Sequence, residues 1–182
     1  MDYNNIHREL VEDCKLGKRQ AQFELYRLYS RAMYNICMRM LKNDMDAEDL
    51  LQNSFVDIFT KLDSFRFQSS VGAWIKRIVV NNCINFLKKR RLEIQELNDQ
   101  ITEQPEPEEE DHAPGFSTKS INHALFQLPD GYRVVFTLYL LEGYDHKEIA
   151  EILEISEATS KSQFSRAKKK LREIIRREKQ ER

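Results

Sequence analysis

A chain of 182 residues, 41% hydrophobic and 32% charged with only 5 Gly and 4 Pro, has room for one ordinary domain or two small ones and too little turn material for an all-β fold. Its net charge of −1 is the sum of unlike parts: residues 1–92 carry 16 Lys and Arg against 11 Asp and Glu, residues 93–118 carry none against 9, and residues 119–182 carry 13 against 10. Two basic blocks around an acidic strap point to modules that bind a polyanion, beside a separate acidic element.

In chain order, the charged opening segment is unlike a signal peptide, and no apolar run approaches the roughly 18 residues of a membrane span. The expectation is a cytoplasmic protein without membrane insertion. Residues 21–41 read as an amphipathic helix through Phe23, Leu25, Leu28, Tyr29, Met33, Ile36 and Met40. In residues 45–62, Leu50, Leu51, Phe55, Ile58, Phe59 and Leu62 recur at three and four, and Asp44 or Asp46 is placed to cap the start. A polar loop, residues 63–70, precedes a helix expected over residues 71–91 through Trp74, Ile75, Ile78, Val79, Ile84 and Leu87.

The strap EIQELNDQITEQPEPEEEDHAPGFST, residues 93–118, holds Pro105, Pro107, Pro114 and the run Glu108-Glu109-Glu110-Asp111. Self-repulsion and proline predict a flexible, extended linker. Beyond it a helix is expected to end near Leu128 and a second to cover residues 132–141, closed by Gly143. Then Asp145 caps a short helix over residues 146–153, Glu154-Ile155-Ser156 forms a turn, and Ser156 caps a longer helix from Glu157 to about Arg177. That order is a helix-turn-helix plan. The predicted fold is all-α: two small helical domains, residues 1–92 and 119–182, joined by a flexible acidic linker, the second containing a helix-turn-helix.

The last helix is expected to turn Glu157, Thr159, Ser160, Lys161, Ser162, Ser165 and Arg166 away from the packed face, hydroxyls and cations suited to base edges and phosphates in a major groove. Lys168, Lys169, Lys170 and Arg172 continue the charge. In the first domain, Asn81, Asn82 and Asn85 precede the run Lys88-Lys89-Arg90-Arg91, beside a loop with Phe65 and Phe67. Aromatic rings next to cations can stack an unpaired base; packing into the core is the competing role for each ring, and Trp74 is read as a core anchor. The polar face of residues 46–55 suits a protein partner or solvent. Catalysis finds no foothold: His7, His112, His123 and His146 lack a zinc pattern, Cys14, Cys37 and Cys83 read as reduced, buried thiols, and phosphate loops and nucleophile elbows are missing. No enzyme activity, cofactor or metal is expected.

Three blocks in order, DAEDLLQNSFVDIFTKLDSF, AWIKRIVVNNCINFLKKRR and LPDGYRVVFTLYLLEGYDHKEIAEILEISEATSKSQFSRAKKKL, resemble the extracytoplasmic-function (ECF) group of sigma-70 RNA polymerase sigma factors. The resemblance implies a factor that binds core RNA polymerase through its clamp coiled coil and flap, directs it to promoter DNA and promotes opening of the −10 element. It places Asp49, Gln52, Asn53 and Phe55 on the clamp. It places Ser64, Phe65, Asn81, Asn82, Asn85, Lys88, Lys89, Arg90 and Arg91 on −10 DNA, with a flipped base held by the loop. Thr159, Lys161, Ser162, Ser165, Arg166 and Lys169 fall on the −35 element. The acidic linker would thread the path later taken by the transcript, and an anti-sigma factor enters as a candidate partner. The sequence departs from the pattern at Asn53, usually Glu; at Glu154, usually a turn glycine; and at Ala158 and Ser160, usually Gly and Val. The alternative is a conventional helix-turn-helix regulator that dimerises and never touches core polymerase.

Overall fold

The computed structural model describes residues 7–95 and 118–180, without side chains at 91–95, 118–120, 122 and 179. Among these residues every regular element is helical, as expected of an all-α chain. The chain divides into two compact units, one ending at Glu93 and the next starting at Ile94.

In the first unit, α1 (Arg8–Lys15) turns at Gly17, whose φ of 74° favours glycine, into α2 (Arg19–Leu41). The buried stripe of α2 is Ala21, Leu25, Met33, Ile36, Cys37, Met40 and Leu41. Phe23 and Leu28, expected on that stripe, are instead 66% and 41% exposed. Helix α3 (Asp44–Lys61) is capped by Asn43, whose side chain accepts from the Asp46 N–H at 3.0 Å. Neither Asp44 nor Asp46 is the cap: both already lie in the first turn, where carboxylates meet the positive end of the helix dipole. The Tyr34 phenol donates to the Asp44 carboxylate, a bond that pushes the phenol up to about 12.

A 3-10 turn, Leu62–Ser64, leads into the loop before α4 (Val71–Gln95). Ser70 caps α4, accepting from the Ala73 N–H at 3.2 Å. Val71, Ile75, Val79, Val80, Cys83 and Ile84 are the part of α4 in the core. The helix passes its expected end at Arg91 and takes in residues 93–95 of the strap. Leu, Glu and Gln are good helix formers, and a basic run does not stop a helix as proline or glycine does. The rest of the strap, residues 96–117, including the acidic run 106–111, lies outside the described residues.

In the second unit, α5 (Thr118–Gln127) and α6 (Asp130–Phe136) pack on α8 (Glu157–Gln180) around Ala124, Leu125, Leu128, Phe136, Ala167, Leu171, Ile174 and Ile175. Arg133, with 0% of its surface exposed, closes the α5–α6 corner. Its Nη1 donates to the Leu128 carbonyl at 3.1 Å, and its Nη2 pairs with Asp130 Oδ1 at 2.8 Å. A guanidinium thus satisfies a carbonyl beyond the end of α5. The helix expected over residues 132–141 changes at Thr137 into a π-helical turn, Thr137–Leu141, ended by Gly143 at φ 79°. The turn buries Thr137 and Leu138 and leaves Leu140 and Leu141 outside.

Helix α7 (His146–Leu153) begins in a reciprocal capping box: Asp145 Oδ1 accepts from the Glu148 N–H, and Glu148 Oε2 accepts from the Asp145 N–H, each at 2.8 Å. Glu154 sits at φ 58°, ψ 42°, so a left-handed conformation falls on a residue with a Cβ, as the missing turn glycine implied. Ser156 then caps α8, its Oγ accepting from the Thr159 N–H at 2.9 Å.

Candidate functional site

On α3 the core takes Ala47, Leu51, Ser54, Phe55 and Ile58. Asp49, Gln52 and Asn53 are exposed, and Met45 and Val56, 77% and 65% exposed, extend the same outer side. The result is an acidic and amide face with apolar ends on a rigid helix. Phe55 does not belong to it. At 3% exposure its ring packs against Tyr26, with centroids 4.7 Å apart, and against Phe59 at 6.0 Å. It is a core residue that supports the face from beneath, a correction to its expected place on the partner.

Helix α4 shows a second exposed row: Arg77, Asn81, Asn85 and Lys89 at intervals of four, with Lys88 half-buried beside it. Arg77 begins the row, four residues before Asn81. Of the other expected members, Asn82 faces inward, while Arg90 stays exposed and leans toward α3. Asn82 Nδ2 donates to Ser54 Oγ at 3.1 Å and to Asp57 Oδ2 at 3.0 Å, tying α4 to α3. Arg90 Nη1 donates to Asp46 Oδ2 at 3.4 Å, reaching the first turn of α3. The side chain of Arg91 lies outside the described residues.

The loop beside this row corrects a third assignment. Phe65 is 3% exposed, with Phe67 at 4.8 Å and Trp74 at 5.2 Å between ring centroids. An unpaired base cannot stack on a ring enclosed in this way. Phe65 is a pillar of the loop, and the groups that face solvent are Asp63, Ser64, Arg66 and Gln68. The Ser64 hydroxyl donates to the Lys61 carbonyl at 2.6 Å, leaving its lone pairs outward as acceptors.

On α8 the buried side is Ser160, Ala167, Leu171, Ile174 and Ile175. Ser160 was expected to face out; it is 0% exposed, and its Oγ lies 2.9 Å from His146 Nδ1. The imidazole stacks on Tyr139 with centroids 4.3 Å apart and meets Phe164 edge-on at 5.7 Å. A hydroxyl where an apolar side chain is usual thus finds its partner in the first residue of α7, and the π-helical turn supplies Tyr139. Thr159, Ser162, Ser165 and Arg166 are half-buried; Lys161 and Lys169 are exposed. Lys161 pairs with Glu157 at 2.8 Å one turn back, and this ammonium holds the Glu157 carboxyl below the usual range. Lys168 lies over the Phe164 ring at 4.9 Å. Among the described residues no three His, Cys, Asp or Glu side chains gather as a metal site, and no helix is long and apolar enough to cross a membrane.

A helical unit with a basic and amide row, followed by a helix-turn-helix whose second helix carries hydroxyls and cations, defines a two-module DNA-binding protein. Two family patterns match the chain: "Sigma-70 region 2" over residues 25–93 and "Sigma-70, region 4" over residues 118–171. The ECF RNA polymerase sigma factor SigM of Bacillus subtilis (strain 168) is 30% identical over 155 residues, covering 85% of this chain and 94% of its own. SigW of the same organism is 27% identical over 180 residues, covering 93% and 96%. Among solved structures, the sigma factor RpoE from Bartonella quintana, in complex with the anti-sigma factor NepR, shares the fold with a TM-score of 0.56 at 24% identity, across 84% of this chain and 95% of its own.

The chain belongs to the ECF subfamily of the sigma-70 family of RNA polymerase sigma factors. It is a transcription initiation factor, of a family that binds core RNA polymerase and promoter DNA and is not enzymatic. The alternative of a regulator independent of polymerase falls away, because the region 2 pattern covers residues 25–93.

Proposed function

We propose that residues 1–92 carry the core-polymerase and −10 contacts on two separate helix faces, that residues 119–182 read the −35 element, and that the strap between them is a linker. Asp49, Gln52 and Asn53 grip the clamp. Ser64, Asn81, Asn85, Lys88, Lys89, Arg90 and Arg91 hold and read the opened −10 strand, with Arg77 added to the row. Thr159, Lys161, Ser162, Ser165, Arg166 and Lys169 meet −35 DNA. The observation that carries the proposal is that the acidic and amide face of α3 and the basic and amide row of α4 are both exposed on helices whose other sides fill one core. One partner can therefore be held while the other is opened. The run 106–111 is assigned to a positively charged channel of polymerase, and the complex of RpoE with NepR makes an anti-sigma factor a partner to seek here as well.

The test separates the faces. Asp49→Lys with Gln52→Lys is expected to weaken capture by purified core polymerase without changing the unfolding midpoint. Asn81→Ala with Asn85→Ala is expected to leave capture intact and to lower permanganate reactivity of the −10 region by roughly tenfold, one stacked or edge-read base being worth about 1–3 kcal/mol. Equal core capture by the charge-reversed protein removes the clamp assignment; an unchanged footprint removes the −10 assignment.

A further inference from the structure

We propose that α1, which precedes the segment matching region 2, is a clasp for the −10-reading loop, with Lys15 and Arg8 as the residues that position it. The proposal rests on assigning that loop to −10 DNA. Lys15 Nζ donates to the Phe65 carbonyl at 3.0 Å and stands 4.9 Å from the centroid of the Phe67 ring. Arg8 Cζ lies 4.7 Å from the same centroid. One ring therefore meets two cations from one helix, and one of those cations also holds the loop backbone.

The loop has a conformational reason to need this. Phe67 sits at φ 58°, a region where an aromatic side chain is rarely found and which persists only when its surroundings impose it. Phe65 and Trp74 fix the inner edge of the loop, and Ser70 fixes its exit as the cap of α4. The outer edge is held by the α1 cations, through attraction to the ring face and through the carbonyl bond. Lys15 is 18% exposed at its side chain, and its nearest carboxylate, Glu12, is 4.0 Å away. Its ammonium is placed for the loop more closely than for an acid. With Phe67 held, Arg66 and Gln68 on either side of it remain exposed. The clasp thus sets which polar groups the loop presents, although neither Lys15 nor Arg8 needs to touch DNA.

The experiment uses the full chain with core polymerase and a promoter library randomised at the −10 element. Lys15→Met keeps the stem and removes the charge and donor. It is expected to broaden −10 base preference and lower open-complex yield by about tenfold, the scale of a lost charge-assisted hydrogen bond, with core capture and −35 preference unchanged; Lys15→Arg restores both. Phe67→Gly relaxes the left-handed backbone and removes the ring, so it covers the case in which Lys15→Met fails to fold, with the same loss of preference expected. Unchanged preference in either folded variant, while Asn81→Ala still impairs opening, overturns the clasp and leaves the loop assignment standing. Unchanged opening in Asn81→Ala and Lys15→Met alike overturns the assignment of the loop itself.

Discussion

Asn81 and Asn82 are adjacent on α4, chemically identical, and expected to fail in opposite ways. Asn82→Ala removes a donor that serves Ser54 Oγ at 3.1 Å and Asp57 Oδ2 at 3.0 Å. A hydrogen bond to a charged group contributes about 1.5–3 kcal/mol and a neutral one about 1 kcal/mol. Asp57 is 42% exposed at its side chain and also pairs with Lys61 at 3.5 Å, so water and that ammonium compensate it and the lower figure applies. Ser54 is 0% exposed, so its hydroxyl loses a partner that water does not replace. The loss is about 2 kcal/mol, which for a unit of this size lowers the melting midpoint by about 10 °C. Trp74 is the one tryptophan of the chain and lies in the first unit, so urea unfolding followed by its emission reports that unit selectively. Asn81→Ala, at an exposed position, is expected to stay within about 0.5 kcal/mol of the parent while impairing strand opening. If Asn82→Ala unfolds with the parent and impairs opening as strongly as Asn81→Ala, the inward assignment of Asn82 is refuted.

Phe55→Ala is expected to cost about 3–5 kcal/mol of stability by leaving a cavity against Tyr26 and Phe59; a stable variant defective only in core capture would return Phe55 to the clamp surface. Glu154→Gly is expected to stabilise the second unit by about 1 kcal/mol, since glycine takes φ 58° without a Cβ clash; a lower melting midpoint by circular dichroism would show that the Glu154 side chain contributes more than its backbone strain. Burial, and secondarily Asp13, pushes the Cys14 thiol up to about 11, so it stays protonated well above neutral pH. With Cys37 and Cys83 at 0% exposure, Ellman's reagent at pH 8 is expected to find no fast thiol in the native protein and three in denaturant; one fast native thiol would contradict the burial.

The helices of both units were legible because apolar residues recur with the helical period over ten residues or more. Their punctuation was legible where one residue type has one use: Asp145 and Ser156 as caps, Gly143 as a stop. Asn43 was missed as the α3 cap because Asn43, Asp44 and Asp46 are all competent acceptors, and only the backbone decides which stands outside the helix. The phase of a stripe is harder to read than its period. Neighbouring residues differ by about 100° around the axis, so Asn82 beside Asn81, and Ser160 beside Lys161, sit where a small rotation moves a polar group from solvent to core. Both were placed outward because their polarity matched the expected surface, and both face inward because another element offers a partner: Ser54 and Asp57 for one, His146 for the other. The π-helical turn Thr137–Leu141 continues α6 directly, and its residues, TLYLL, fit an α-helix as well.

That reasoning extends to charge. The excess of cations in residues 1–92 and 119–182 marked both as polyanion-binding, and summing formal charge treats every cation as facing the polymer. Arg90 is turned to Asp46, Lys61 to Asp57, Lys161 to Glu157 and Lys170 to Glu173. Exposed pairs of this kind hold by only about 0–1 kcal/mol, so a phosphate can take an ammonium from its carboxylate at little cost, and the pairs do not oppose binding. Each phosphate that a cation neutralises releases a condensed counterion, so the salt dependence tracks the cations that reach phosphate rather than the total. Between the cations, Asn81 and Asn85 of the α4 row are amides, and Thr159, Ser162 and Ser165 of α8 are hydroxyls, groups able to hydrogen-bond base edges without adding to the charge. On the proposed assignment, charge brings the two units to DNA, and the neutral residues between the cations carry the choice of sequence.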